Sequence, residues 1–439
     1  MEIDKTTLKD LNIFNNEDDF SIFSKINFTK TSNGQEKLKI NLATPLKNID
    51  AINGIQETLK SITCCFNQWP VEISNGTIIV IERFYEATVN SIPAVVSNYN
   101  ARIYKLINSY DFSLIKYSVT HCFDLIKGLM KTIELLLDEH TPLPLKNVLL
   151  DIESIINKDE FQIIRKHNNI KHLTNKEILQ LGSFLRYKFK PLMIQLLQMH
   201  ATIDAWYGMA KSVVENNLIF PEFIESPEPY IKATGLYHIL LSDPVPYDLL
   251  LNKETNFQFL TGANMAGKST YIKSVGSAVF LAHTGMGVPV KSMELSVFDG
   301  MLSNINVMDD ITKGESYFFN EVQRIKATIN KISDGRKWLI LIDELFKGTN
   351  VEDAMKCSSI VIEGLLKIKN SIFILSTHLY EISEALKVHP NIRFNYFETT
   401  VINDQFSFSY QLKNGVSSDR LGYLILKKEG VIKMLNNLQ

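Results

Sequence analysis

The sequence predicts an all-α domain over residues 1–230, followed by an α/β domain over residues 231–439. Two observations predict these two domain types. In the first half, apolar residues recur at spacings of three and four, as they do on one face of a helix. In the second half, short uninterrupted apolar runs alternate with helical patterns, which is typical of buried parallel strands.

The apolar positions of the first half define two long helices. One series spans residues 122–136, and the other spans residues 178–213 with nearly heptad spacing. Pro191 interrupts the second series, so we expect a kink there. Residues 30–34 predict a loop ahead of a shorter helix. The apolar residues of that shorter helix are Leu38, Ile40 and Leu42.

The second half contains short apolar runs of the length of a strand. Three of them predict parallel strands buried on both faces, at residues 257–260, 338–342 and 371–376. Near the end of the chain, two alternating patterns flank Asn403 and Asp404, which predicts an antiparallel hairpin.

A glycine-containing loop follows the first of these strands. Residues 262–269 fit the P-loop pattern G-x-x-x-x-G-K-[ST], whose glycines let the backbone fold closely around a phosphate. The following helix directs the positive end of its dipole toward that anion. We therefore expect ATP and Mg²⁺, with Lys268 at the β and γ phosphates and Ser269 on the metal. The expected loop contacts are Gly262, Ala263, Asn264, Met265, Ala266, Gly267, Lys268, Ser269 and Thr270.

Polar residues follow the other two predicted strands. Asp343 and Glu344 come directly after one strand, at the edge where open α/β sheets bind ligands. We expect Asp343 to hold Mg²⁺, and Glu344 to orient and activate the attacking water. His378 follows the third strand and could hydrogen-bond the γ phosphate or that water. Taken alone, such a histidine would more often be an ordinary surface or core residue.

Composition narrows the class of protein. With 439 residues and 45% hydrophobic content, the chain can form two or three cores. The net charge of -2 means that any contact with DNA requires a local basic patch. An apolar run long enough to cross a membrane is absent, and the N-terminus is too charged for a signal peptide, so we expect a cytoplasmic protein with no membrane partner. Its four cysteines lack metal or disulfide spacing.

Several segments together resemble the MutS family of ABC-class ATPases. TGANMAGKST is similar to the family's TGPNMGGKST, with Ala263 and Ala266 as small replacements. DELFKGTN resembles DELGRGTS, although Phe346 and Lys347 replace Gly and Arg. DDITKGES, STHLYEI and NGVSSDRLGYLI resemble further family segments.

The resemblance extends from about residue 20 to the end of the chain. Residues 29–56 are similar to the start of the MutS core domain, and residues 203–223 to the helix that returns to the ATPase. It implies a helical core/lever domain over residues 1–230 and an ABC ATPase domain over residues 231–439. The family's mismatch-recognition and connector domains have no counterpart in this sequence, so the resemblance does not imply direct mismatch recognition.

The resemblance also implies a homodimer. Ser316 matches the signature serine that reaches, in trans, the γ phosphate bound by a partner subunit, so it would be a fourth catalytic residue beside Glu344, His378 and Lys268. The alternative is that Ser316 caps the helix expected from Tyr317, and both roles are compatible.

A basic island lies in the predicted helical arm. Between Lys158 and Lys190 there are eight Lys or Arg residues and three acids. Such an excess could contact double-stranded DNA through phosphates; the alternative is a solvated helix face.

We expect a DNA-dependent ATPase of mismatch repair or related DNA processing. The rival hypothesis is an ATP-gated protein-interaction module that does not touch DNA. A transporter subunit is disfavoured, because the sequence lacks a membrane span and an LSGGQ signature.

Overall fold

A computed structural model of the protein describes residues 1–14, 20–93, 97–167, 170–305, 317–402, 405–417 and 430–436. The chain divides into two compact units. The first, called here the sheet unit, comprises Met1–Lys25, Thr44–Ile52 and Asn216–Gln439. The second, called the helical unit, comprises Ile26–Ala43 and Asn53–Glu215.

The secondary-structure elements are numbered here in chain order. The helices are α1 (Lys5–Asp10), α2 (Ile22–Ile26), α3 (Ser32–Ala43), α4 (Ile49–Thr63), α5 (Asn75–Glu86), α6 (Asn98–Ile107), α7 (Ser109–Leu136), α8 (Leu143–Ile156), α9 (Gln162–Lys166), α10 (Asn175–Tyr187), α11 (Lys190–Glu215), α12 (Lys268–His283), α13 (Tyr317–Ile332), α14 (Val351–Leu365), α15 (Ser383–Leu386) and α16 (Val431–Asn436). The strands are β1 (Glu2–Ile3), β2 (Glu222–Ile224), β3 (Ile231–Leu236), β4 (Tyr247–Leu251), β5 (Phe257–Thr261), β6 (Ser292–Ser296), β7 (Gly300–Asn304), β8 (Trp338–Asp343), β9 (Ile372–Ser376), β10 (Ile392–Ile402) and β11 (Gln405–Asn414).

The helical unit is built on the long helices α7 and α11, which have 28 and 26 residues. Helices α5 and α10 pack along α7, and α3 packs along α11. The predicted apolar stripe of α7 is buried. In α3, Leu38 and Leu42 are buried as well, whereas Ile40 is 56% exposed because it lies on the opposite face.

Pro191 does not kink a single helix. The second apolar series is divided between α10 and α11, and Pro191 occupies the first turn of α11. A proline is favourable there because the first helical N–H groups have no intrahelical acceptor. The predicted kink is therefore wrong, and the proline marks the start of a new helix.

The sheet unit contains a seven-stranded sheet in the order β1-β7-β8-β9-β5-β10-β11. Neighbouring strands are parallel except β10 and β11, which form the predicted hairpin. Every residue of β5, β8 and β9 is buried, as expected for strands covered on both faces. A second sheet has the order β2-β6-β3-β4.

The division into units differs from the predicted boundary at residue 230. The first residues of the chain join the sheet unit, where β1 pairs in parallel with β7. The Thr7 hydroxyl accepts a hydrogen bond from the backbone N–H of Ser303, and Asp10 accepts one from the Ser303 hydroxyl at 2.6 Å. A two-residue strand is too short to produce a periodic pattern, so the sequence did not indicate it.

One buried carboxylate organises the start of the helical unit. Asp204 of α11 accepts hydrogen bonds from the backbone N–H groups of Lys30 and Thr31, both at 2.9 Å, and from the Thr31 hydroxyl at 2.7 Å. A Cβ at Gly34 would lie 2.1 Å from the Asp204 carboxylate. Only glycine therefore lets α3 approach this carboxylate so closely.

We predict that Asp204→Ala lowers the free energy of unfolding of the helical unit by about 3 kcal/mol, because buried donors lose their acceptor. Thermal unfolding followed by the helical circular dichroism signal measures this. The exposed Gln195→Ala on the same helix serves as the control. Equal melting temperatures for Asp204→Ala and the parent would contradict the assigned role.

Candidate functional site

The loop between β5 and α12 has the backbone geometry of a phosphate cradle. Gly262, Met265 and Gly267 have φ values of 137°, 68° and 109°, in the region that glycine adopts with least strain. A Cβ at Gly262 would lie 3.1 Å from the carbonyl oxygen of Phe397. No side chain caps the first turn of α12, so its N-terminal end can bind an anion.

The Lys268 side chain folds back over this loop. Its Nζ donates hydrogen bonds to the carbonyl oxygens of Gly262 at 2.7 Å and Ala263 at 3.0 Å. Burial lowers the pKa of Lys268 to about 8, although Glu344 and Asp343 act in the opposite direction. This depression corresponds to about 3 kcal/mol disfavouring the ammonium form. A bound phosphate would relieve that cost by supplying negative charge.

The two residues predicted to hold Mg²⁺ lie in direct contact. Ser269 Oγ donates a hydrogen bond to Asp343 Oδ2 at 2.6 Å, and the Ser376 hydroxyl donates to Asp343 Oδ1. Hydroxyl and carboxylate oxygens are the donors that Mg²⁺ prefers. Among the described residues, no group of three or more His, Cys, Asp or Glu side chains could hold a metal by itself. Ser269 and Asp343 would therefore hold an Mg²⁺ ion only together with ligands from outside the protein, such as phosphate oxygens and waters.

Glu344 is paired with His378 across the ends of β8 and β9. His378 Nε2 donates to Glu344 Oε1 at 2.6 Å, and Lys347 Nζ lies 3.2 Å from Glu344 Oε2. Burial would raise the pKa of Glu344, but these two partners lower it to about 2. Glu344 is therefore ionised at neutral pH, and it can orient a water molecule or accept its proton.

The backbone of Glu344 is held in an unusual conformation. Its φ is 64°, which costs energy for a residue with a side chain, and its N–H donates to the carbonyl of Ser376 at 3.0 Å. The segment that follows is held by Glu321 of α13, whose carboxylate accepts the N–H groups of Lys347 at 3.0 Å and Gly348 at 3.1 Å. The charged side chains of the site thus rest on a fixed turn.

A cavity of about 480 Å³ adjoins the loop. Tyr247 and Tyr410 line it, together with Asn264, Met265 and Thr270 from the loop. The two tyrosines also lie near Gly267. A Cβ at Gly267 would be 3.4 Å from the Tyr410 ring and 3.7 Å from the Tyr247 hydroxyl. This cavity has the size of a small-molecule site with aromatic walls.

Sequence reasoning missed several residues of this site. Ser376 was only part of a predicted strand, although its position immediately before Thr377 and His378 placed it at the same edge. In the sequence, Lys347 stands out only because it replaces an arginine of the family segment, and Glu321 belongs to no motif. Tyr247 and Tyr410 come from strands far apart in the sequence, so no spacing could have indicated them.

The predicted trans serine lies outside the described residues. Ser316 and the whole segment DDITKGES fall within residues 306–316. Helix α13 begins at Tyr317, where a helix was expected.

The predicted basic island lies in the helical unit and is used partly for structure. Arg165 donates to the carbonyl oxygen of Ile156 at the end of α8, at 2.8 Å. Arg186 donates to Ala87 at 2.6 Å and to Phe84, at the end of α5. Two of the eight cations therefore satisfy carbonyl groups at helix ends.

In the part of the chain that the structure describes, none of the helices has the length and hydropathy required to cross a membrane.

Comparisons with known proteins agree with this geometry. Residues 258–435 match the family model of MutS domain V. The DNA mismatch repair protein MutS of Petrotoga mobilis is 27% identical over 234 residues, which cover 52% of this chain and 28% of that protein. The protein of the same name from Streptococcus gordonii is 27% identical over 241 residues, which cover 54% of this chain and 28% of the relative. The matched region thus spans under a third of each relative's length. The loop and the strand-end carboxylates thus lie in a region, residues 258–435, that is similar to domain V of the MutS family.

Proposed function

We propose that this protein is a MutS-like, Mg²⁺-dependent ATPase that hydrolyses ATP to ADP and phosphate. The observation that carries the proposal is the meeting of three strand ends. Lys268 Nζ lies 3.5 Å from His378 Nε2, and His378 pairs with Glu344. Asp343 is held by Ser269, the residue after Lys268. Their chemistry matches a site that holds a triphosphate and positions water.

Each group would have a distinct role in hydrolysis. Lys268 would exchange its two carbonyl acceptors for β and γ phosphate oxygens. Ser269 and Asp343 would hold Mg²⁺, which neutralises charge that develops on the phosphates. Glu344 would orient the attacking water and accept its proton, while His378 would hold the Glu344 carboxylate in place or contact the γ phosphate.

We further propose that two chains share each ATP. The support is the resemblance of DDITKGES to the family signature, which makes Ser316 the residue that would reach a nucleotide bound by the partner. Closing two composite sites would then draw two chains together, and hydrolysis would release them.

We propose that the helical unit contacts DNA in mismatch repair or a related process, since the relatives are named DNA mismatch repair proteins. The lysines of the island between Lys158 and Lys190 are candidates for phosphate contacts. A second candidate function is an ATP-gated protein-interaction module. It is favoured by a groove of about 1270 Å³ in the helical unit, whose walls include Ile40 and Ile194.

The ATPase rate measured with and without duplex DNA, at low and high salt, distinguishes the two functions. Stimulation and retention on DNA at low salt support the DNA-dependent ATPase. A rate unchanged by DNA, with no retention, supports the protein-interaction module.

We predict that Glu344→Gln retains Mg-ATP binding but lowers turnover by a factor of about 100 or more, because the water loses its base. Phosphate release and nucleotide binding are measured side by side. Glu352→Gln, an exposed position with the same change of charge, is the matched control. Normal turnover in Glu344→Gln would show that another group activates the water.

We predict complementation between Lys268→Ala and Ser316→Ala chains. In a mixed dimer, one composite site carries both defects and the other carries neither, so mixing two poorly active proteins should restore turnover. The rate is measured against the mixing ratio. A rate that is always the weighted mean of the separate proteins would argue against shared sites.

We predict that ATP binding takes up a proton at alkaline pH. In the free protein the pKa of Lys268 is about 8, so at pH 8.5 most Lys268 is neutral, and phosphate binding requires its protonated form. Affinity should therefore fall as pH rises above 8. Calorimetry in two buffers of different ionisation enthalpy gives the proton count, with Lys268→Arg as a control that does not titrate. The lysine assignment fails if the parent takes up no proton at pH 8.5.

A further inference from the structure

Helix α6 and the start of α7 present a row of exposed aromatic and aliphatic side chains. They recur at helical spacing, so they lie on one face of each helix. Their exposed fractions are Tyr99 73%, Leu106 82%, Ile107 72%, Tyr110 78% and Tyr117 55%. Exposed apolar side chains in such a cluster are typical of an interaction surface. We call this set the α6–α7 surface.

The charge of this surface has one sign. Arg102, Lys105 and Lys116 are exposed among the apolar side chains. Between residues 97 and 123 the chain has a single acid, Asp111, which is 8% exposed and accepts the N–H of Asn90 at 3.2 Å. The surface therefore complements a polyanion and would repel a second copy of itself.

The end of α10 likewise has an exposed tyrosine next to an exposed lysine. Tyr187 is 53% exposed, and its hydroxyl accepts the N–H of Ile92 at 3.1 Å, just ahead of α6. Lys188, which follows it, is also exposed. This end of the predicted basic island therefore carries an exposed aromatic side chain beside its cations.

We infer that the α6–α7 surface binds unpaired nucleotides of a nucleic acid. The three cations would contact phosphates, and the tyrosine rings would stack on bases. Exposed tyrosine rings can stack on unpaired bases, whereas in a duplex the neighbouring base pairs cover the faces of each base. The exposed Leu106 and Ile107 would add apolar contact area for the same bases. This inference rests on the proposed function in one respect, namely that the partner of the helical unit is a nucleic acid.

The test compares three variants of the full chain. Tyr99→Ala/Tyr110→Ala/Tyr117→Ala removes the rings, and Arg102→Gln/Lys105→Gln/Lys116→Gln removes the charges. Lys356→Gln/Lys367→Gln/Lys369→Gln is the matched control, because it removes three exposed charges from the sheet unit. Binding to a fluorescent single-stranded DNA and to the same sequence as a blunt duplex is measured over a series of salt concentrations. Circular dichroism and the ATPase rate without DNA establish that each variant is folded.

We expect the tyrosine variant to bind single strands at least tenfold more weakly, with duplex binding changed less than twofold. The charge variant should reduce the slope of log K against log salt by about 2, because each phosphate contact to a single strand contributes about 0.7. The control variant of the sheet unit should retain the parent slope.

The inference is overturned if both surface variants bind single strands like the parent, or if the parent prefers the duplex. In the first case the proposal that the protein binds DNA is unaffected, and the α6–α7 surface would bind a protein and not a nucleic acid. If the parent binds no nucleic acid at all, the DNA part of the proposed function fails with it, while the ATPase part is judged by turnover.

Discussion

Every residue of strands β5, β8 and β9 is buried. Side chains that must contact a ligand or solvent therefore lie where these strands end. Because the strands are parallel and adjacent, their carboxyl ends meet at one edge of the sheet. This constraint brings together Lys268, Asp343 and His378, of which the first and the last are 110 residues apart in the sequence. The position of the site therefore follows from the burial of these three strands in the core of the sheet unit.

The charged groups at this edge of the sheet are paired with partners from the protein itself. Lys268 is held by two carbonyl oxygens, Asp343 by two hydroxyl groups, and Glu344 by His378 and Lys347. Buried charges require such partners. We infer that nucleotide binding exchanges these internal partners for phosphate, metal and water, so that the turn after β8 senses the nucleotide. The hydrogen bonds from Lys347 and Gly348 to Glu321 extend this set into α13.

Elements with a strong local pattern could be predicted from the sequence. The P-loop has a fixed residue spacing, the apolar residues of α7 have helical spacing, and the buried strands are short apolar runs that end in polar residues. Pairings between distant segments could not be predicted, because they depend on tertiary packing. Examples are β1 beside β7, Arg186 at the end of α5, and the tyrosines near Gly267. The α6–α7 surface was missed because its exposed apolar residues resemble those of an ordinary amphipathic helix.

The central claim is that ATP is held between two chains. Light scattering of Glu344→Gln, with and without Mg-ATP, measures this directly, because the variant should hold ATP without consuming it. The account predicts a particle of twice the 50.1 kDa chain mass with Mg-ATP and a smaller mean mass without it. A protein that binds Mg-ATP fully and remains at the mass of one chain would contradict it.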